Sequence, residues 1–210
     1  MEDLATITVF VTFFAVLGPP KILIAFAHLS RGRSTAEMRR LIVVSSLVAG
    51  AVGIVIAYAA DLLTSFFHVS DQSLALAGGT IFFVYAVALV LGIHLGGAGE
   101  AEPEEPGLVG GLRELLLPYI VSPLAISAEL VESLDEDTWS WRTTVAAMYV
   151  AVVIIDCLCV LVLVPLLPKI HITALEVLSR VLGLLLAAVG VEVFLNGLEA
   201  LGVHLAPSAH

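Results

Sequence analysis

Long apolar runs separated by short polar connections make up most of the sequence. Six runs are long enough to cross the hydrocarbon core of a bilayer, which takes about 20 helical residues. They lie near residues 4–29, 41–67, 74–96, 112–134, 143–167 and 174–205. The pattern therefore predicts an all-α polytopic membrane protein with six transmembrane helices.

Composition supports this prediction and excludes several functions. Of the 210 residues, 60% are hydrophobic and 13% are charged, whereas soluble domains average about 25% charged residues. One six-helix bundle uses the whole length and leaves no room for a soluble catalytic domain. We find no nucleophile–base pair and no zinc-protease motif, so the chain is not expected to be an enzyme, and neither a cofactor nor a metal site is predicted. A net charge of −10 also argues against nucleic acid as a partner.

The distribution of basic residues predicts the orientation. Connections rich in lysine and arginine stay on the cytoplasmic side. The second and fourth connections hold only Arg142, whereas the first, third and fifth hold Arg31, Arg33, Arg39, Arg40, Arg113 and Lys169. We therefore expect a multi-pass protein of the cell (inner) membrane with both termini outside.

An acidic segment divides the predicted spans into two sets of three. Residues 97–111 are rich in glycine, proline and glutamate and are expected to form a cytoplasmic linker between repeats at 1–96 and 112–210. An odd number of spans per half makes the second half inverted relative to the first, as in many transporters. An offset of 104 residues relates Pro19 to Pro123 and Gly79 to Gly183.

Prolines near the middle of spans one and four predict two breaks at the membrane midplane. A proline in a helix removes one backbone donor and clashes with the preceding turn. Protein or cavity water must then satisfy the freed carbonyls in lipid. The two related breaks, at Pro19 and Pro123, indicate a binding site between the halves. The alternative is a pair of kinks that only shape the bundle.

Ionisable residues within the spans are candidates for function, because each costs at least about 2.5–3.5 kcal/mol to insert. Lys21 follows the first break and is expected either to enter the site or a buried ion pair, or to extend towards the cytoplasmic surface. Asp156 and Glu192 lie near the centres of spans five and six. Each is expected to be either a counter-ion or proton-coupling carboxylate, or a protonated structural acid. Glu129 is nearer the outer end of span four, where it either joins them or reaches water.

Three segments carry a resemblance to a known family. "SRVLGLLLAAVGVEVFLNGL" in span six, "LALAGGTIFF" in span three and "LPYIVSPLAI" in span four resemble motifs of the MarC family of prokaryotic inner-membrane proteins. The likeness covers nearly the whole chain. In span one, Gly18-Pro19-Pro20-Lys21-Ile22 keeps only the first proline of the family pattern, and Lys21 stands where the family has glycine.

The resemblance implies a secondary transporter of small neutral amino acids that works by alternating access at a midplane site. The alternative is a cation or metal exporter that uses intramembrane carboxylates as ligands. The expected partners are a small-molecule substrate and the lipid bilayer, while coupling to a proton or cation and homo-oligomerisation stay open. The candidate substrate-binding residues are Gly18, Pro19, Pro20, Lys21, Ser122, Pro123 and Ser127, and the candidate coupling or counter-ion residues are Asp156, Glu192 and Glu129.

Overall fold

The computed structural model describes residues 2–29, 33–93, 122–165 and 172–203. Every regular element in these ranges is an α-helix, which confirms the predicted all-α class. The seven helices are α1 Glu2–Leu17, α2 Pro19–Leu29, α3 Thr35–Phe67, α4 Asp71–Leu91, α5 Pro123–Ser133, α6 Trp139–Leu163 and α7 Ile172–Ala200.

Five segments in these ranges are long and apolar enough to cross a membrane. They are Ala5–Ile24, Thr35–Phe67, Asp71–Leu91, Trp139–Leu163 and Ala174–Ala200, and they correspond to predicted spans one, two, three, five and six. The first of them runs from α1 into α2. Of predicted span four, only α5 and its flanking residues are described. The predicted linker at 97–111 and the first part of span four lie outside the described residues.

Hydroxyl side chains fix where the long helices begin. Ser34 accepts a hydrogen bond from the Glu37 backbone N–H, and the Glu37 carboxylate accepts one from the Ser34 N–H at 2.8 Å, which is a capping box. Thr138 accepts from the Trp141 N–H at 3.1 Å and caps α6 in the same way. Both helices therefore start at a polar cap, several residues before the apolar runs at 41 and 143.

The bundle surrounds its first span. The segment Ala5–Ile24 is the most buried of the five, whereas α4 and α7 are the least buried. Phe13, Phe26, Phe82 and Leu186 are fully buried and lie in the common core. Large apolar side chains on the outer faces of α3, α4 and α7 stay exposed, as is expected for surfaces that contact lipid.

Helices α4 and α7 form the most extensive helix pair, and glycines allow it. A Cβ atom added to Gly79 would lie 2.6 Å from the Gly190 carbonyl oxygen, and one added to Gly183 would lie 3.2 Å from the Ala86 carbonyl oxygen. Small residues permit such close backbone approach in membrane bundles. Gly79 and Gly183 therefore serve helix packing.

A polar cluster joins α3 to α6 near the end of α3. The buried Arg142 side chain forms ion pairs with Asp61 and, at 2.7 Å, with Asp137. One turn away, the hydroxyls of Tyr58 and Thr143 are hydrogen-bonded at 2.9 Å. These contacts pair the C-terminal end of α3 with the N-terminal end of α6, so the two helices run antiparallel.

Candidate functional site

Helices α1 and α2 are separated by a single non-helical residue, Gly18. The Gly18 N–H donates to the Phe14 carbonyl at 3.0 Å, and the Lys21 N–H donates to the Gly18 carbonyl at 3.1 Å. Pro19 and Pro20 have no N–H, so the carbonyls four residues earlier lose their helical donors. A Cβ atom on Gly18 would overlap the Phe14 carbonyl oxygen, and only glycine fits there.

Lys21 supplies a donor that Pro20 lacks. Its Nζ donates a hydrogen bond to the Val16 carbonyl at 3.1 Å. That carbonyl would accept from residue 20 in an uninterrupted helix. Nζ also lies 6.0 Å from the centroid of the Tyr85 ring, within range of a cation–π interaction. The ammonium group is therefore held at the helix interruption, in the interior of the span.

Asp156 provides an opposite charge that acts on Lys21. It lies on α6, its side chain is buried, and its carboxylate interacts electrostatically with Lys21. Its Oδ1 atom has no hydrogen-bond partner among the described residues. Lys21 and Asp156 are also not in direct ion-pair contact in the described part of this structure. The half-buried Lys21 on α2 and the buried Asp156 on α6 thus interact electrostatically, and each keeps unused hydrogen-bonding capacity among the described residues.

The described part of span four begins at a cap. Ser122 is buried and accepts a hydrogen bond from the Ala125 N–H at 3.2 Å, which makes it the N-cap of α5 with Pro123 as first residue. The Ser127 hydroxyl donates to the Pro123 carbonyl at 2.8 Å. Both hydroxyls are thus used within α5, and neither is hydrogen-bonded to Lys21 or Asp156. Whether span four is interrupted at Ser122 stays a prediction, because residues 112–121 lie outside the described ranges.

Glu129 is the most deeply buried carboxylate of the described residues. Its side chain is 1% exposed, and neither Oε1 nor Oε2 has a hydrogen-bond partner there. The alternative that Glu129 reaches water is therefore wrong for this structure. Glu132, one turn further along α5, is also buried and interacts electrostatically with Glu129.

Tyr149 on α6 connects this carboxylate to the Lys21–Asp156 pair. Its side chain interacts electrostatically with both Glu129 and Asp156. The ring is held edge-on by Phe13 at a centroid distance of 5.4 Å, and it packs directly on Gly53. Sequence reasoning missed Tyr149 and Glu132. Tyr149 lies seven residues before Asp156, and Glu132 lies three residues after Glu129. Each residue is therefore on the same helix face as its partner.

Glu192 does not join this group. Its side chain is exposed on α7, whereas Asp156 and Glu129 are buried. The buried face of α7 carries Gly183, Leu186 and Gly190. A residue two positions past Gly190 points to a different side of a helix. In the described ranges, no group of three or more histidine, cysteine, aspartate and glutamate side chains is close enough together to hold a metal ion.

Comparison with known proteins places these features in a family. The chain matches the model for MarC family integral membrane proteins over residues 4–201. It is 23% identical over 199 residues to the UPF0056 membrane protein YhcE of Escherichia coli (strain K12), with 91% of each chain covered. A UPF0056 membrane protein of Archaeoglobus fulgidus is 25% identical over 191 residues, with 90% of each chain covered. No solved structure matches the chain.

Proposed function

The chain belongs to the MarC family of integral membrane proteins, and on that premise we propose that it is a secondary transporter of small zwitterionic solutes, small neutral amino acids above all. The substrate site lies at the interruption between α1 and α2, between two inverted halves that give alternating access. The substrate class follows from the stated resemblance and from the charges that meet at this interruption.

The Lys21–Asp156 pair is the observation that carries the proposal. A neutral amino acid presents one carboxylate and one ammonium group, and the site presents one ammonium and one carboxylate. Lys21 has three N–H donors, of which one is used by the Val16 carbonyl. Asp156 Oδ1 has no hydrogen-bond partner among the described residues. A zwitterion between them would bond both and leave no net charge in the membrane interior.

Because of the two prolines, the Lys21 side chain rather than backbone N–H groups binds the solute carboxylate. In broken transporter helices, backbone N–H groups at a helix N-terminus usually bind the anion. Pro19 and Pro20 supply no N–H at the start of α2, so the Lys21 ammonium takes that role, helped by the positive end of the helix dipole. Pro19, Pro20 and Gly18 shape the interruption, while Ser122, Pro123 and Ser127 shape the start of α5.

Helix boundaries support the inverted repeat. Helices α2 and α5 each have 11 residues and begin 104 positions apart, at Pro19 and Pro123. Helices α3 and α6 also begin 104 positions apart. The same offset relates their N-caps, Ser34 and Thr138, which are both hydroxyl residues. One offset thus relates the starts of two successive helices in each half.

The contact between α4 and α7 supports the repeat independently. The offset of 104 relates Gly79 to Gly183 and Ala86 to Gly190. In the structure, Gly79 approaches Gly190 and Gly183 approaches Ala86. Each contact is therefore the repeat image of the other, as a pseudo-two-fold axis through the crossing of α4 and α7 requires.

Two observations disfavour a cation or metal exporter. Glu192 is exposed and apart from the other carboxylates, and the buried Asp156 already interacts with the cationic Lys21. A cation would compete with that ammonium for the same carboxylate.

Uptake of labelled alanine and glycine into proteoliposomes tests the proposal. We expect uptake above that of protein-free liposomes, and a decrease of about tenfold to a hundredfold in Lys21→Met and in Asp156→Asn, because each loses one charge-assisted contact of roughly 1.5–3 kcal/mol. Glu199→Gln is the matched control, since this carboxylate is exposed at the end of α7. Folded wild-type protein that carries no small amino acid but gives cation-stimulated flux would favour the exporter instead.

A further inference from the structure

Titratable side chains on α5 and α6, most of them buried, interact electrostatically in pairs from one end of α5 towards the Lys21–Asp156 pair. Asp135, in the connection between α5 and α6, is exposed and interacts electrostatically with the buried Glu132. Glu132 interacts in turn with Glu129, and Tyr149 interacts with both Glu129 and Asp156. This series of pairwise interactions therefore extends from the surface to the Lys21–Asp156 pair.

Nothing in the local packing explains Glu129 as a structural residue. A buried polar group without a hydrogen bond is costly, and a buried carboxylate more so. Yet both oxygens of Glu129 lack a partner among the described residues. The protein therefore retains a group that destabilises it, which is typical of intramembrane carboxylates that carry ions or protons.

The elements around Glu129 hold the series in place. Helix α5 packs against α1, α3, α4 and α6. The titratable groups that face Glu129 are Glu132 from α5 and Tyr149 from α6, with Asp156 and Lys21 beyond Tyr149. On the α1 side lies Thr12, whose hydroxyl donates to the Thr8 carbonyl at 3.1 Å and sits beside Glu132. The fully buried Phe13 packs on the Tyr149 ring.

We propose that Glu132, Glu129, Tyr149 and Asp156 form a proton path that couples solute movement to the proton gradient. This inference rests on the proposed function. A proton enters at Glu132, passes to the Glu129 carboxylate, and is handed on through the Tyr149 hydroxyl, which accepts one proton while it releases another to Asp156. Protonation of Asp156 releases the solute ammonium group that this carboxylate binds, and loss of the proton to the opposite side restores the carboxylate for the next solute. No electron is transferred, and each group ends the cycle as it began.

The Glu129→Gln variant distinguishes a role in the proton path from a role in the substrate site. Its glutamine side chain resembles the protonated carboxyl in shape but cannot release a proton. We expect Glu129→Gln to lose both the alanine-driven pH change, measured with an internal pH-sensitive dye, and the accumulation of alanine driven by a pH gradient. Exchange of labelled for unlabelled alanine needs no net proton transfer, so this variant should keep it. Glu129→Asp should regain part of the coupled flux, and Glu199→Gln should behave as wild type.

The outcomes distinguish this inference from the proposed function. Wild-type protein that neither accumulates nor exchanges small amino acids would reject the function itself. Wild-type uptake without proton movement, or a Glu129→Gln variant that keeps coupled uptake, would overturn the proton path alone. Loss of exchange together with coupled uptake in Glu129→Gln would also overturn it, because that residue would then be needed for the site or the fold. Tyr149→Phe should slow coupled uptake more than exchange.

Discussion

Lys21 is stabilised by the helix defect that lies next to it. A lysine within a membrane span costs at least about 2.5–3.5 kcal/mol on insertion scales. Here the Val16 carbonyl, which Pro20 leaves without a donor, accepts from Nζ, and the Tyr85 ring and Asp156 carboxylate add electrostatic stabilisation. Pro20 leaves a carbonyl without a donor, and Lys21 supplies that donor. In turn, this carbonyl gives the Lys21 ammonium a hydrogen-bond acceptor within the span.

This reciprocity predicts a measurable coupling between the two positions. Lys21→Met should lower the free energy of unfolding in detergent by roughly 1.5–3 kcal/mol, since it removes a hydrogen bond from a charged donor. In a Pro20→Ala background the new N–H of residue 20 reaches the Val16 carbonyl, and the same substitution should cost about 1 kcal/mol less. Loss of the Asp156 interaction occurs in both backgrounds and cancels in the cycle. Equal costs in the two backgrounds would show that the Val16 hydrogen bond adds no stability.

At the scale of elements, the sequence predicted which segments are helical better than where they begin and which way they face. Apolar runs gave predicted starts at 41 and 143, whereas the capping hydroxyls of Ser34 and Thr138 start α3 and α6 earlier. Glu192 is predicted to be a site carboxylate, but α7 packs through its glycine face, which turns Glu192 outward. The sequence shows only that Tyr149 shares a helix face with Asp156, because its role depends on which helix packs beside α6.

The close packing of α4 against α7 predicts that alanine substitutions at different glycines will change the stability by different amounts. Gly79→Ala and Gly190→Ala each place a methyl group within 3.0 Å of backbone atoms on the facing helix, so the helices must separate. Each should lower the free energy of unfolding by about 1–3 kcal/mol. Gly50→Ala is the control: its methyl group would only touch the Val150 side chain, at 4.0 Å. Denaturant titration in detergent should show Gly50→Ala unchanged or more stable, by up to about 1 kcal/mol. Similar losses at all three positions would argue that helix propensity, not close approach, sets the cost.

At the scale of the whole molecule, helix contacts give the relative direction of α3 and α6, and the placement of arginines predicts their orientation in the membrane. The ion pair of Asp61 with Arg142 and the hydrogen bond of Tyr58 with Thr143 make α3 and α6 antiparallel, so their N-terminal ends must face opposite sides of the bilayer. The packing does not decide which end is cytoplasmic. The arginines before and within the first turns of α3, Arg33, Arg39 and Arg40 among them, predict that its N-terminal end is inside.

Cysteine labelling at two positions related by the proposed repeat tests both statements. Ala36 and Ser140 are 104 positions apart, and each is exposed in the first turn of its helix, α3 and α6 respectively. In a background of Cys157→Ser and Cys159→Ser, we expect a membrane-impermeant maleimide to label Ser140→Cys in intact cells and Ala36→Cys only in inverted vesicles. The reverse pattern would keep the antiparallel arrangement and overturn the predicted orientation. Labelling of both positions from one side would contradict the inverted relation of the halves, because equivalent residues of an inverted repeat cannot share a membrane face.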